Sequence, residues 1–292
     1  MRHKRIAIFV LASAMFGGCN HQPYVSEERL GRGLVVVLSG VEGRGPLNEA
    51  ICRGLDRGGV EMAIENYSWA LPGMVLYNLR SSDHHTRKAE ALSRHIAEYK
   101  VRHPGRPVFL VGHSGGAAIA VWATERLPAG SKVDGIVLLA PALSPKYSLQ
   151  FALAHSRRGV VSFHSRGDWV LLGMGTQIAG TMDGKHTASA GMVGFEAPPG
   201  SAGAGYPNVY QIAWKAGMSG SGHVGGHLTS GAQRFVSGYV APLMLSPRWN
   251  SRFVGRVEQG TFACRIERPA QPLWLGGPLV AALRDGGRAG NL

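Results

Sequence analysis

Apolar residues recur along this chain in two rhythms. Leu34-Val-Val-Val-Leu38 is an unbroken β-branched run that stops at Ser39-Gly40, and Pro107-Val-Phe-Leu-Val111 is another. Runs of this length predict strands buried on both faces. Further strands are predicted near Val60–Asn66, over Val133–Leu139 and Gly159–Phe163, and over Asn208–Trp214. Between them the spacing turns helical: residues 47–57, Asp83–Arg102, Gly115–Leu127, Ser148–His155 and Gly231–Val240. In the longest of these Ala89, Leu92, Ile96 and Tyr99 fall on one face, and His103-Pro104-Gly105 ends it. Strands alternating with helices predict an α/β fold, a mostly parallel sheet covered on both faces.

Two stretches break the rhythm. Residues 169–207 are rich in Gly, Ala, Ser and Pro, with Trp169, Leu171, Leu172, Met174, Met182, Met192 and Phe195 interspersed. A loop this long reads as a flap near a functional site or as a surface excursion with a short helix. Residues 243–292 are Pro-, Gly- and Arg-rich, with strand character around Thr261–Ile266, and read as a partly disordered C-terminal extension. The folded domain is accordingly placed at residues 33–242.

The amino terminus has the grammar of an export signal. A basic start, Met1-Arg-His-Lys-Arg5, leads into an apolar segment from Ile6 to Phe16 that is too short to span a bilayer. Phe16-Gly17-Gly18-Cys19 resembles a bacterial lipobox, although Phe16 stands where an aliphatic residue is usual. The resemblance implies that residues 1–18 are removed, that Cys19 is acylated, that residues 19–32 form a linker, and that the protein is anchored to a membrane of the cell envelope. Plain secretion is the alternative.

Composition narrows the picture. With 45% hydrophobic and 17% charged residues the chain can bury a core, which excludes global disorder. The formal charge of +13 invites a nucleic-acid reading, but the basic residues are scattered and no basic helix or RNA motif accompanies them. Nucleic acid is therefore not an expected partner, while attraction to anionic surfaces or substrates stays open. Beyond Cys19, an exported protein could join Cys52 and Cys264 or leave them as separate thiols, and spacing does not decide. No metal-ligand spacing of the Cys-x-x-Cys or His-Glu-x-x-His kind occurs, so neither metal nor cofactor is expected.

The chemistry concentrates at Val108-Phe-Leu-Val-Gly112-His113-Ser114-Gly115-Gly116-Ala117. This is a predicted strand, then G-x-S-x-G, then a predicted helix. Small residues are needed there because a sharp strand-to-helix bend holds the serine in a strained backbone and leaves no room beside it. On this motif and the order of elements the chain resembles an α/β-hydrolase from the Leu34 strand to the Gly231 helix. The resemblance implies Ser114 as nucleophile, followed in chain order by an acid and then a histidine. Asp168, just beyond the Gly159–Phe163 strand, is the expected acid, with Asp183 as alternative, while Asp134 precedes its strand and lies at the wrong edge. In Gly222-His223-Val-Gly-Gly-His227 the base is expected to be His227, closer to the final helix, with His223 as alternative. His113 is expected to pack, and His84 and His85 to be solvated.

By the same resemblance the oxyanion hole is formed by the backbone N–H groups of Gly115 and Val41, each of which would contribute on the order of 3 kcal/mol. Glu42 beside that site would oppose an oxyanion unless it turns away or pairs with Arg44. Only about 20 residues separate the fourth and fifth predicted strands, so the large cap of many family members is absent. Met, Leu and Trp near the site suit an apolar acyl group and hence a small-molecule or lipid ester. An acyltransferase with the same triad, or a non-catalytic protein that keeps the fold, are the alternatives.

Overall fold

Leu34–Leu38 (β1), Ala63–Tyr67 (β2), Val108–His113 (β3), Gly135–Leu139 (β4), Val160–His164 (β5) and Val209–Ala213 (β6) form one sheet in a computed structural model that describes residues 22–170, 180–199 and 206–263. Every pairing is parallel, in the order β2-β1-β3-β4-β5-β6. Successive residues of a strand point to opposite faces, and β1 divides accordingly. Leu34, Val36 and Leu38 join Ala89, Leu92, Ile96 and Tyr99 of one helical layer, and Val35 and Val37 join Ile51, Leu55, Phe235, Val236 and Val240 of the other. A strand buried on both faces has to be apolar throughout, which is why β1 shows no alternation.

The helices are Glu27–Leu30 (α1), Pro46–Arg57 (α2), Val75–Arg80 (α3), Ser82–Arg102 (α4), Gly115–Glu125 (α5), Gln150–Ala154 (α6) and Ala190–Val193 (α7), followed by helical segments between residues 233 and 258. Pro46 opens α2, where its missing N–H is no loss. β2 starts later than the apolar run suggested because Val60 N–H closes the end of α2 on Leu55 O at 3.1 Å. α3 escaped the sequence reading because Leu71-Pro-Gly has the look of a turn and the helix turns most of its apolar side chains outward.

Three expectations need correction. Residues 22–32 are not a free linker: Gln22 bonds both backbone groups of Asn66, and Arg29 reaches Asp56, Val60 O and Met62 O. The domain does not end at residue 242. Gln233–Phe235, a π turn over Val236–Val240 and Ala241–Leu245 follow without a break, and the wider turn accommodates Pro242, which has no N–H to give. Beyond it Ser251–Glu258, capped by Asn250 Oδ1 on Phe253 N at 2.8 Å, buries Phe253, Val254 and Val257. Residues 261–263 are turn rather than strand.

Residues 180–199 of the predicted flap are anchored on the loop that follows β4. Ala190 N–H bonds Leu143 O at 2.7 Å, Gly191 N–H bonds Pro141 O at 2.8 Å, and Met182 and Phe195 are buried. The export signal of residues 1–18, Cys19, the 171–179 and 200–205 parts of the flap, and Cys264 lie outside the described residues; Cys52 is a buried free thiol.

Candidate active site

From β1 the chain moves to β2 on one side and then returns to β3 on the other, so the connections leaving β1 and β3 diverge. Open α/β sheets bind ligands in the crevice made at such a point, at the carboxyl ends of the strands. Ser114 stands there, with φ 54° and ψ −118°, a conformation few L-residues adopt. Its surroundings impose it. A β-carbon at Gly112 would sit 2.5 Å from Ala117 Cα, and one at Gly116 would collide with Ser39 O. Ser114 N–H donates to Leu139 O at 2.9 Å, and Ser114 O accepts from Ala117 and Ala142 N–H, both at 3.1 Å. The bend ends at the start of α5, whose dipole favours negative charge beside the serine.

Asp168 lies in a 3₁₀ turn, Arg166–Val170, that follows β5, and His227 lies beyond β6. His227 Nδ1–H donates to Asp168 Oδ2 at 3.0 Å, which fixes the tautomer and leaves Nε2 as the basic nitrogen. The ring packs 4.8 Å from that of His113, the residue before Ser114. His113 Nε2–H in turn donates to His227 O at 3.2 Å, with Ser230 Oγ on the same oxygen at 2.8 Å. Among the described residues no hydrogen bond runs from Ser114 Oγ to His227; such bonds are often loose without substrate and tighten when it binds.

The alternatives are occupied elsewhere. His223 Nδ1 meets Thr229 Oγ1 at 2.9 Å, and its ring packs on Phe235. Asp183 accepts from Ser144 N–H, Ser144 Oγ and Thr181 Oγ1, a staple between two loops. Asp134 accepts from Val108 N–H at 2.9 Å before β4 begins, at the other edge of the sheet. His84 and His85 are buried, contrary to expectation, and bond Trp69 O at 3.1 Å and Asn78 O at 2.6 Å.

Burial dominates the electrostatics of the pair. It raises the Asp168 carboxyl and pushes the His227 imidazole down to about 4, since either charge alone is poorly solvated there and the two are held as one hydrogen-bonded pair. Among the described residues Asp168 Oδ1 has no hydrogen-bond partner. His227 is therefore neutral at pH 7, the form a general base requires. Glu42 acts the other way and favours the protonated ring. Its exposed carboxylate folds back over Gly40, where a β-carbon would meet only the far end of that flexible side chain.

The loop after β1 faces the serine. Gly43 N–H donates to Gly40 O at 3.1 Å, closing a turn in which the N–H of Val41 has no part. Val41 is close enough that a β-carbon on Gly115 would sit 2.7 Å from its Cγ1 and 3.3 Å from the Trp69 ring, with Met182 Sδ at 3.4 Å. Two side chains that sequence reasoning missed hold this loop. Trp69 Nε1–H donates to Ser39 O at 2.7 Å, and the fully buried Asn78 donates through Nδ2 to Val41 O at 2.9 Å and Leu71 O at 2.8 Å. Asn78 Oδ1 accepts from Leu71 N–H at 3.0 Å. Nothing in the sequence pattern marks Asn78, because its partners are backbone atoms of distant loops. Among the described residues no group of three or more His, Cys, Asp or Glu side chains is placed to hold a metal ion.

A six-stranded parallel sheet whose bend after β3 carries Ser114, with Asp168 after β5 and His227 after β6, decides the architecture. This is an α/β-hydrolase fold. The family model described as serine aminopeptidase, S33, matches residues 78–167 of the chain, from α3 into the turn that carries Asp168. Several solved structures are similar over most of the chain. Lipase B of Aspergillus fumigatus is 10% identical, with 82% of this chain and 63% of the lipase covered and a TM-score of 0.46. A poly(3-hydroxybutyrate) depolymerase from Bordetella parapertussis is 14% identical, with 77% and 85% covered and a TM-score of 0.42. A Xanthomonas campestris pv. campestris protein of the alpha/beta hydrolase superfamily is 16% identical, with 73% and 99% covered and a TM-score of 0.41. No curated protein matches the sequence.

Proposed function

We propose that this α/β-hydrolase is a serine hydrolase that cleaves a carboxylic ester through an acyl-enzyme. Ser114 Oγ attacks the acyl carbon while its proton passes to His227 Nε2, and Asp168 Oδ2 holds the imidazolium that forms. The carbonyl oxygen becomes an oxyanion and takes hydrogen bonds from the N–H groups of Val41 and Gly115. His227 then gives its proton to the departing alkoxide. Water, deprotonated by the same nitrogen, attacks the acyl-Ser114 carbonyl and releases the acid and the free serine. The observation that carries this reading is the hydrogen-bonded His227–Asp168 pair packed against the residue that precedes a strained, elbow-bound serine. Val41, Trp69 and Met182 around Gly115 favour an apolar acyl group, and hence an ester, over a charged or peptide one.

A fluorophosphonate probe labels the wild type and not Ser114→Ala, and a series of p-nitrophenyl esters, run beside aminoacyl amides, reads the acyl preference. No labelling of Ser114 in folded protein, or faster cleavage of the amides, overturns the proposal. The chain is further proposed to be exported and held at a membrane of the cell envelope by acylated Cys19. Incorporation of labelled fatty acid that Cys19→Ser abolishes is the expected result. Among the described residues no helix is long and apolar enough to cross a membrane.

A further inference from the structure

Residues 71–77, Leu-Pro-Gly-Met-Val-Leu-Tyr, are all exposed and carry no charge. Leu76 is 64% and Met74 50% open to solvent, with Leu71, Val75 and Tyr77 beside them. Single exposed hydrophobes are ordinary on a protein surface, whereas a continuous run marks a place where something apolar is met. The run borders the candidate site. Both backbone groups of Leu71 are bonded to Asn78, which also holds Val41 O, and Trp69, two residues upstream, closes on Gly115.

Its rim is basic. Arg80 ends α3, and Tyr77 packs 5.2 Å from the ring of His84. Arg87 and Lys88 stand three and four residues beyond His84, on the same face of α4. Between Leu71 and Lys88 the acidic residue is Asp83 alone, and among the described residues Arg80, Arg87 and Lys88 take part in no ion pair. An apolar strip edged with cations matches the acyl and headgroup layers of an anionic lipid surface. It matches a second copy of this chain poorly, since each copy carries a formal charge of +13 and the two would repel.

We propose that the Leu71–Tyr77 surface docks the enzyme on a lipid surface bearing anionic headgroups, with the apolar side chains among the acyl chains and the mouth of the site facing the layer. This deepens the esterase reading by making lipid-borne acyl esters the substrates presented there, but docking itself needs no turnover.

The test is hydrogen exchange of the full chain, and of full-length Ser114→Ala, with vesicles of phosphatidylglycerol and phosphatidylcholine or of phosphatidylcholine alone. The peptide covering residues 71–80 is expected to slow roughly tenfold on the anionic vesicles, and less on the uncharged ones, in both proteins. Met74→Asp/Leu76→Asp, with an unchanged melting curve, is expected to abolish that protection even where the amino terminus keeps the chain bound. The proposal is overturned if the chain does not bind the vesicles, or if it binds while this peptide exchanges as in solution. Equal protection on uncharged vesicles removes the basic rim from it. Protection that appears without lipid and rises with protein concentration assigns the surface to a second copy instead. Because Ser114→Ala is measured in parallel, loss of the esterase reading would appear in probe labelling and leave this result standing.

Discussion

Replacing Asn78 with alanine tests whether the loop after β1 is catalytic equipment or only scaffold. The substitution removes three hydrogen bonds of 2.8–3.0 Å from a fully buried side chain and leaves Val41 O and both backbone groups of Leu71 without that partner. A buried polar group left unpaired costs about 1–3 kcal/mol. Leu71 is exposed and its backbone can turn to water, so Val41 O carries most of the loss. A fall in unfolding free energy of about 2–4 kcal/mol is expected in urea titrations. The kinetic effect is separate. With Val41 O untethered, the turn no longer fixes the Val41 N–H, and an oxyanion donor is worth on the order of 3 kcal/mol, so kcat for p-nitrophenyl butyrate should drop about a hundredfold with KM little changed. Asn78→Asp sharpens the distinction, because it keeps an acceptor for Leu71 N–H but sets a carboxylate oxygen against two carbonyl oxygens. It should lose as much activity at pH 8 and regain part of it where the carboxyl is protonated. Either variant folding with reduced stability yet turning over within about twofold of wild type would refute the assignment of Val41 to the oxyanion hole.

Other outcomes follow from the same geometry. Because burial holds His227 down at about 4, the acid limb of kcat/KM should lie well below the ordinary imidazole value of 6.5, and a limb centred at or above it in initial-rate profiles would contradict a buried base. His227→Ala should lose at least about a thousandfold in kcat, whereas His223→Ala, whose ring serves Thr229 and Phe235, should keep most activity and lose stability; the reverse pattern in matched assays would exchange their roles. His113 and His223 are both held down at about 4 by burial, so the folded state binds fewer protons than the unfolded one between there and about 6.5. Their stabilising contribution is fully present above pH 6.5 and is lost as pH falls through 4, about 3 kcal/mol for each, so the loss of urea stability between pH 7.5 and pH 4.5 should be smaller in His223→Phe than in wild type by about that amount, the oppositely signed titration of Asp168 being common to both. Gly116→Val would drive a side chain into Ser39 O and should abolish soluble expression, while a folded, active variant would mean that the elbow is looser than described.

The sequence by itself determined the sheet, because a strand buried on both faces has no choice but to be apolar and a helix against it must show its stripe. Leu34–Leu38 and the Ala89, Leu92, Ile96, Tyr99 face are legible for that reason alone. The elbow was legible too, since only small residues fit beside Ser114, and so was the edge of the sheet at which an acid must lie. What lies in loops was not. Which of His223 and His227 meets Asp168, whether residues 243–263 fold, and where His84 and His85 go depend on contacts between residues far apart in the chain, for which a local pattern carries no signal. Asn78 is the clearest instance. A buried amide that bonds main-chain atoms of residues 41 and 71 asks nothing of the types of those residues, so only the tertiary structure reveals that it holds the loop beside Ser114.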